Sequence, residues 1–223
     1  METAKRQMTF LTAEPERRLL RWTAARLPRS WMPDHLTACG VLGAVTVAAG
    51  YGLSLRHPGW LWLASAGLVL NWFGDSLDGT LARVRQIERP KFGYYLDHMV
   101  DAINTAIIGA GIGLSPYVSL PVALLLVILY LCLSINVYLE SSVFGQFDLG
   151  FGIFGPTEVR ILLVLANAGL FAGAMWADLT GPQVLRIANV VFGLVCVGML
   201  YTILARFRIN LIRLTRLEPP RRS

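Results

Sequence analysis

The stretch GDSLDGTLARVRQIERPKFGYYLDHMVD, from Gly74 to Asp101, holds four aspartates in a chain that has only 14 acidic residues. It separates two strongly apolar segments of the 223-residue sequence. A carboxylate costs free energy beside a hydrocarbon environment unless a positive charge or water compensates it. Asp75, Asp78, Asp97 and Asp101 are therefore expected at a polar boundary, with cationic partners.

The composition around this stretch is that of a membrane protein. Hydrophobic residues make up 55% of the chain and charged residues 15%, against about 25% charged residues in an average soluble domain. The apolar runs are continuous and close to the roughly 20 residues that a helix needs to cross a bilayer. We predict an all-α integral membrane bundle of six transmembrane helices, at Leu36–Leu55, Gly59–Leu77, Tyr94–Leu114, Tyr117–Glu140, Glu158–Ala177 and Val184–Ala205.

The basic residues predict the orientation of these spans. With six spans, 18 of the 20 Lys and Arg residues fall on one side, and only Arg56 and Arg186 fall on the other. Cytoplasmic segments carry such an excess of basic residues, so both termini are expected in the cytoplasm. The expected location of the protein is the bacterial inner membrane or a plasma membrane. The net charge of +6 then indicates contact with anionic lipid headgroups, and no nucleic-acid partner is expected.

The chain divides into an arm at 1–28, a six-span catalytic domain at 29–210 and a basic cytoplasmic tail at 211–223. Within the arm, EPERRLLRWTAARLP (Glu14–Pro28) mixes Leu and Trp with Arg. This pattern favours an amphipathic helix lying in the membrane interface, and a solvated helix is the alternative.

The spacing of the four acids favours a metal site. Asp75 and Asp78 are three residues apart, and Asp97 and Asp101 are four apart, so each pair shares one face of a helix. If the two faces meet, four oxygen ligands suit Mg²⁺, Mn²⁺ or Ca²⁺, whereas Zn²⁺ would want nitrogen or sulfur and only His98 is near. The alternative is that the acids only pair with basic residues at the helix end, namely Arg83, Arg85, Arg89 and Lys91.

Three residues between the acids indicate a phosphate ligand. Gly79 lets a ligand approach the backbone, Ala82 is small, and Arg83 offers a planar, permanently charged fork. Metal-binding acids, a glycine and an arginine together predict a site for a metal-bridged pyrophosphate.

Eight positions carry a family resemblance: Asp75, Asp78, Gly79, Ala82, Arg83, Gly93, Asp97 and Asp101. They reproduce D-x2-D-G-x2-A-R followed, after nine residues, by G-x3-D-x3-D, which resembles the motif of the CDP-alcohol phosphotransferase family. The resemblance implies transfer of a substituted phosphoryl group from a CDP-alcohol or CDP-diacylglycerol to an alcohol or lipid acceptor, with release of CMP. It also implies a homodimer.

The resemblance also assigns roles. Asp75, Asp78 and Asp97 are implied to bind metal, and Asp101 to complete a site for two Mg²⁺ or Mn²⁺ ions and to take the proton of the attacking hydroxyl. The CDP moiety is implied to lie against Gly79, Ala82, Arg83 and Gly93.

Two further features resemble one subgroup. DHMVD (Asp97–Asp101) is similar to the D-H-x2-D of eukaryotic choline and ethanolamine phosphotransferases, where the histidine is given a basic role. FGPTEVR (Phe154–Arg160) resembles a Gly-Pro-x-Glu segment of the same subgroup. His98 is therefore a second candidate base or only a hydrogen-bonding residue, and Glu158 and Arg160 are candidate acceptor contacts or an ion pair at a helix start.

Three alternatives remain open on sequence grounds. PDHLT (Pro33–Thr37) resembles a P-N-x-L-T segment of the family, but Asp34 replaces Asn and is expected to cap the first span. GAGIG (Gly109–Gly113) could pack at a dimer interface or inside the protomer. A six-span transporter that binds cations at its aspartates is the rival function, although its acids would be expected at mid-membrane.

Overall fold

The computed structural model describes residues 13–144, 155–176 and 181–219, and every regular element in these ranges is helical. The all-α prediction is therefore confirmed. The helices are α1 (Ala13–Arg26), α2 (Pro33–Leu53), α3 (Leu61–Arg85), α4 (Pro90–Gly113), α5 (Leu120–Phe144), α6 (Pro156–Trp176) and α7 (Gly181–Leu217). Some residues of the predictions lie outside the described residues. They are 1–12 of the predicted arm, 220–223 of the predicted tail, Phe154 at the start of the FGPTEVR segment and Ala177 at the end of the fifth predicted span.

Within the described residues, four helices are long and apolar enough to cross a membrane: Pro33–Leu53, Leu120–Phe144, Pro156–Met175 and Gly181–Leu217. The other two predicted spans are helices of 25 and 24 residues, α3 and α4. Both carry the acidic motif within their length, and neither belongs to the apolar group of four. The helices also exceed the predicted spans, since α3 continues past Leu77 to Arg85 and α7 continues through the predicted start of the tail to Leu217.

The turn between α3 and α4 is set by local backbone chemistry. Gln86 ends α3 with a left-handed backbone, φ 56°, and the next amide, of Ile87, donates to the carbonyl of Ala82 at 3.0 Å. Pro90 then starts α4 at a position where its missing amide hydrogen costs nothing. Because the turn is short, the two halves of the acidic motif are brought back against each other.

The expected cap of α2 is wrong in detail. Met32 occupies the N-cap position and Pro33 the first helical position, so Asp34 lies inside the first turn. The imidazole of His35 accepts the amide hydrogen of Met32 at 3.3 Å. Asp34 instead pairs with Arg89 at 2.5 Å, because Pro33 already starts the helix and leaves the Asp34 side chain facing the α3–α4 turn.

Small residues let α2 and α3 pack at backbone contact. A Cβ atom added to Gly43 would lie 2.3 Å from the nitrogen of Asn71, and one added to Gly74 would lie 2.3 Å from the nitrogen of Gly40. Such distances exclude any larger side chain, and glycine at these positions permits the close approach. The contact places Asp75, which follows Gly74, directly against α2.

The GAGIG segment packs inside the protomer. Added Cβ atoms at Gly109 and Gly113 would clash with side chains of α5, 2.1 Å from Val127 and 2.7 Å from Leu120. A Cβ atom added to Gly111 would lie 2.4 Å from the Cα of Ala48 in α2. These glycines therefore seat α4 between α2 and α5.

Helix α1 packs on the bundle through part of its apolar surface. Leu20 and Ala24 are buried against Leu36 and Leu77, while Leu19 and Trp22 remain exposed with other apolar and basic residues. A helix therefore lies where the sequence predicted one, and its placement in the membrane interface stays a prediction.

A single carboxylate ties α1 to two other helices. Oε1 of Glu16 accepts hydrogen bonds from the Trp72 indole at 2.7 Å and the Thr157 hydroxyl at 2.8 Å, and the Ser76 hydroxyl lies 3.4 Å away. Trp72 and Ser76 belong to α3 and Thr157 to α6. Glu16 therefore holds together the helices that flank the acidic motif.

We expect Glu16→Ala to destabilise the protein by about 1–3 kcal/mol, because donors of α3 and α6 lose their shared acceptor. The measurement is the thermal unfolding midpoint of the detergent-solubilised protein. Glu14→Ala is the matched control, since Glu14 is 66% exposed and pairs with Arg17, and its change should stay within about 0.5 kcal/mol. Equal midpoints for the two variants would show that Glu16 does not hold the helices together.

Candidate active site

Three of the four aspartates converge between α3 and α4. Asp75, Asp97 and Asp101 each contribute one carboxylate oxygen to a group in which all the oxygens lie within 4.8 Å of one another. The helical spacing explains this, because Asp97 and Asp101 are one turn apart on α4 and face the end of α3 that carries Asp75. The predicted meeting of the two acidic faces is therefore present in the structure.

Asp78 faces the same space from a different position. Asp75, Asp78 and Asp97 line a small cavity together with Thr37, Gly40, Val100 and Asn104. One oxygen of Asp78 accepts the Thr37 hydroxyl at 2.7 Å, and the other accepts the Gly79 amide at 2.5 Å. These two bonds orient the Asp78 carboxylate.

The donor set fits a hard divalent cation. All the clustered donors are carboxylate oxygens, which Mg²⁺ and Mn²⁺ prefer over the nitrogen and sulfur donors of Zn²⁺ sites. Two unit charges of like sign at such a separation repel by about 3 kcal/mol at an effective dielectric constant near 20. A cation bound between the carboxylates would relieve this repulsion, and Asp75, Asp97 and Asp101, with Asp78 beside them, could hold a metal.

One positive charge reaches the cluster from α6. A guanidinium nitrogen of Arg160 lies 2.7 Å from a carboxylate oxygen of Asp75, and the side chains of Arg160 and Asp75 are 17% and 20% exposed. Nε of Arg160 donates to the Asn71 side-chain oxygen at 3.0 Å, and Asn71 in turn donates to the Gly40 carbonyl at 2.9 Å. The buried Asn71 thus positions Arg160 over the acidic site.

Glu158, the other candidate on this segment, has a different environment. It is buried, and its carboxylate accepts the amide hydrogen of Gly155 at 2.9 Å, at the start of α6. Arg160 points to α3, so these two residues of one motif contact different parts of the bundle.

The residues expected at the nucleotide lie along the exposed end of α3 and the start of α4. Arg83 is exposed and donates to the Thr80 hydroxyl at 3.2 Å. A Cβ atom on Gly79 would lie 3.5 Å from the Arg83 guanidinium, and one on Gly93 would meet no atom within 4 Å. Ala82 is half-buried on the same helix. The surroundings of Gly93 and Arg83 are therefore open to a ligand.

The alternative interpretation was that the four aspartates pair with basic residues at the end of α3, but Arg85 and Arg89 have other partners. Arg85 donates to the main-chain carbonyls of Leu27 at 3.0 Å and Pro28 at 2.8 Å, and also to that of Trp31. Arg89 pairs with Asp34. Asp75, one of the four motif aspartates, pairs with Arg160 of α6 instead.

His98 faces α5 and not the centre of the cluster. The His98 ring stacks on the Tyr138 ring, with the two ring centroids 4.5 Å apart. The ring centroid of Tyr94 lies 4.1 Å from that of His98. Nδ1 of His98 is 3.2 Å from a carboxylate oxygen of Asp97. The register of α4 explains the difference, because residue 98 is rotated about 100° from residue 97, whereas residue 101 returns to the same face.

Sequence reasoning missed three contributors to the site. Thr37 binds Asp78, Asn71 binds Arg160, and Asn104 lines the cavity. The position of Thr37 at the end of the PDHLT segment was an available signal for it. For Asn71 and Asn104 the one signal was a polar residue inside an apolar run.

Comparison with known proteins assigns the chain to a family. A family profile described as CDP-alcohol phosphatidyltransferase matches residues 30–197, about three quarters of the chain. A phosphatidylinositol phosphate synthase of Cutibacterium acnes (strain DSM 16379 / KPA171202) is 37% identical over 82 residues, which is 37% of this chain and 37% of that protein. The chain thus matches this curated relative over little more than a third of its length. The family match supports a transferase and gives no support to the transporter alternative. The converging aspartates and the extent of the profile match together place this chain in the CDP-alcohol phosphatidyltransferase family.

Proposed function

We propose that this transferase of phospholipid synthesis moves a substituted phosphoryl group from a CDP-linked donor to an alcohol, releasing CMP, with two Mg²⁺ or Mn²⁺ ions as cofactors. The observation that carries the proposal is the convergence of Asp75, Asp97 and Asp101 within 4.8 Å. A site for a pyrophosphate and its metals needs several carboxylates at one place, and the family supplies the class of reaction.

Each motif residue has a role in this proposal. Asp75, Asp78, Asp97 and Asp101 hold the metal ions, which supply charge stabilisation to the pyrophosphate and to the leaving CMP. Thr37 and the Gly79 amide fix the Asp78 carboxylate. Gly79, Ala82, Arg83 and Gly93 accommodate the CDP moiety at the open end of α3.

The transfer itself requires one proton acceptor. The acceptor hydroxyl attacks the phosphorus that carries the donor's alcohol, a new P–O bond forms, and the bond to the CMP oxygen breaks. Asp101 takes the hydroxyl proton, because it shares the face of Asp97 and points into the cluster. Arg160 and Glu158 lie on the α6 side, and we propose them as contacts for the acceptor.

The relative's name suggests which substrates to test first. A synthase of a phosphatidyl product uses a donor that carries the lipid, so CDP-diacylglycerol with an inositol phosphate acceptor is the leading pair. The DHMVD resemblance points instead to CDP-choline or CDP-ethanolamine with a lipid acceptor. The two assignments differ in which substrate carries the lipid.

A substrate screen tests the proposal. Purified protein with Mg²⁺ should release CMP with one donor class, and we expect CDP-diacylglycerol with inositol phosphate to be the productive pair. Asp75→Asn protein and protein treated with a chelator are the controls, and both should release CMP about 10³-fold more slowly or not at all. Failure to release CMP from any CDP-linked donor, by folded and metal-supplied protein, would refute the proposed reaction.

We further propose six spans, with both termini and the active site at the cytoplasmic face of a bacterial inner membrane or plasma membrane, and a homodimeric assembly. Two contacts support the arrangement of the ends. Arg85 joins the end of α3 to the α1–α2 link, and Arg89 joins the α3–α4 turn to Asp34. The basic segments before α2 and after α3 therefore lie at one end of the bundle, with the excess of positive charge that marks the cytoplasm. On this arrangement α1 lies in the cytoplasmic interface.

The topology predicts a one-sided labelling pattern. A cysteine introduced at Glu88, in a background lacking Cys39, Cys132 and Cys196, should react with a membrane-impermeant maleimide in inside-out vesicles and not in intact cells. Glu88 is exposed in the α3–α4 turn, so a cysteine at this position would be accessible to the reagent. A cysteine at Arg56, in the opposite link, is the control and should show the reverse pattern. Labelling of the Glu88 variant from outside intact cells would contradict the topology.

A further inference from the structure

The contact between Arg160 and Asp75 joins a cation to one of the three clustered carboxylates. The separation is 2.7 Å, both side chains are largely buried, and Asn71 holds Nε of the guanidinium at 3.0 Å. The pair also connects α6 to α3. Arg160 thus supplies a positive charge at the place where the proposed function requires metal.

The charges at the site determine how the guanidinium of Arg160 and a bound metal ion affect each other's binding. When ionised, as metal ligands are, Asp75, Asp97 and Asp101 carry three negative charges, and the guanidinium of Arg160 offsets part of this charge through its contact with Asp75. Two divalent ions bound to these carboxylates and to Asp78 would offset all four negative charges, so that no net negative charge would remain for Arg160. A fixed guanidinium would then lie beside a positive centre, and its interaction with Asp75 would become much less favourable.

We propose that Arg160 is a counter-charge for Asp75 that divalent metal displaces, so that Arg160 sets the metal affinity of the site. The inference rests on the proposed function, because it takes the aspartates to be metal ligands. Displacement would free the guanidinium of Arg160 for the acceptor, and it would couple loading of the site to the contact between α6 and α3.

Linkage gives the proposal a definite sign. If metal weakens the Arg160–Asp75 pair by some factor, the pair weakens metal binding by the same factor. Removing the charge of Arg160 should therefore tighten metal binding. A residue that only held Asp75 in a ligating orientation would act in the opposite direction, because its loss would weaken binding, as is usual for groups that orient metal ligands.

The experiment measures Mn²⁺ binding without substrate. Full-length protein is purified in detergent, stripped of divalent ions and titrated with MnCl₂, and free Mn²⁺ is followed by its electron paramagnetic resonance signal. We expect Arg160→Gln to bind Mn²⁺ about tenfold more tightly than wild type, within the range common for coupled sites. Arg160→Lys keeps the charge but loses the fork, and it should tighten binding by about threefold.

Arg83→Gln is the control for general loss of positive charge near the site. Arg83 is exposed and contacts Thr80, so its removal should change Mn²⁺ affinity by no more than about twofold. Each variant is used only if it is monodisperse and unfolds cooperatively. If Arg160→Gln does not fold, the Lys variant carries the same test.

The outcomes separate the inference from the function on which it rests. Tighter binding by the Arg160 variants and an unchanged Arg83 variant would support it. Unchanged or weaker binding by the Arg160 variants, with normal binding by wild type, would overturn the inference and leave the proposed function standing. If wild type and all the variants bind no Mn²⁺, both the metal assignment and the inference fail.

Discussion

Replacement of Asp97 by Asn is expected to reduce CMP release by about 10³-fold or more. Stabilisation of the pyrophosphate charge by metal accounts for several kcal/mol of the barrier, and each 1.36 kcal/mol is a factor of ten. Asp97 belongs to the cluster of three carboxylates, and its side chain is 45% exposed. The substitution removes a charged ligand from a partly solvated position, so the fold should survive.

The measurement combines activity with folding. CMP release is determined at saturating Mg²⁺ and donor, and the thermal unfolding midpoint is determined for the same preparation. Asp34→Asn is the matched control, since Asp34 is also an exposed aspartate near this end of the bundle and pairs with Arg89. It should retain near wild-type activity.

Asp75→Asn and Asp78→Asn should produce losses of similar size. Asp75 shares the cluster, and Asp78 faces the same cavity while bound to Thr37. A folded Asp78→Asn or Asp97→Asn protein that turns over near the wild-type rate with Mg²⁺ would show that the metal assignment is wrong.

Asp101→Asn is expected to cost about 10³-fold or more in rate, and His98→Ala about tenfold. Asp101 points into the cluster, so its replacement removes a proton acceptor and part of the metal site together. His98 stacks on Tyr138 of α5 and contacts Asp97. Its loss should therefore disturb the position of Asp97 and leave the proton transfer in place.

Single-turnover rates at saturating donor and metal compare the two variants. Tyr138→Phe is a useful control, because it keeps a ring for His98 to stack on and should have little effect. The assignment reverses if His98→Ala shows the deeper loss of single-turnover rate and Asp101→Asn the smaller one. His98 would then be the base and Asp101 a ligand.

The sequence alone predicted the helices and most of the acidic site, because both depend on local patterns. Continuous apolar runs determine where helices form, and the spacing of three and four residues determines which acids share a face. The prediction of six spans extended this rule to α3 and α4. In the part of the chain that the structure describes, four helices have the length and composition of a span. The helices α3 and α4 are not among these four, because they include the charged residues of the site.

Tertiary structure alone decided which distant residues complete the site. Arg160 lies 85 positions from Asp75, and Thr37 lies 41 positions from Asp78. Their contacts depend on the packing of α2, α3 and α6, which in turn depends on the close approach at Gly43 and Gly74. Nothing in the local spacing of a single segment encodes the rotation of one helix against another.

The same distinction separates residues within one motif. The sequence identified Glu158 and Arg160 as one candidate pair, and the structure directs Glu158 to the start of its own helix and Arg160 to the acidic cluster. It likewise turns His98 toward Tyr138 and Asp101 toward Asp75 and Asp97. Residue types and spacing determined the chemical groups that are available to this protein. Helix packing decided which of those groups can act together, because side chains from different helices interact only when packing brings them within a few ångströms of each other.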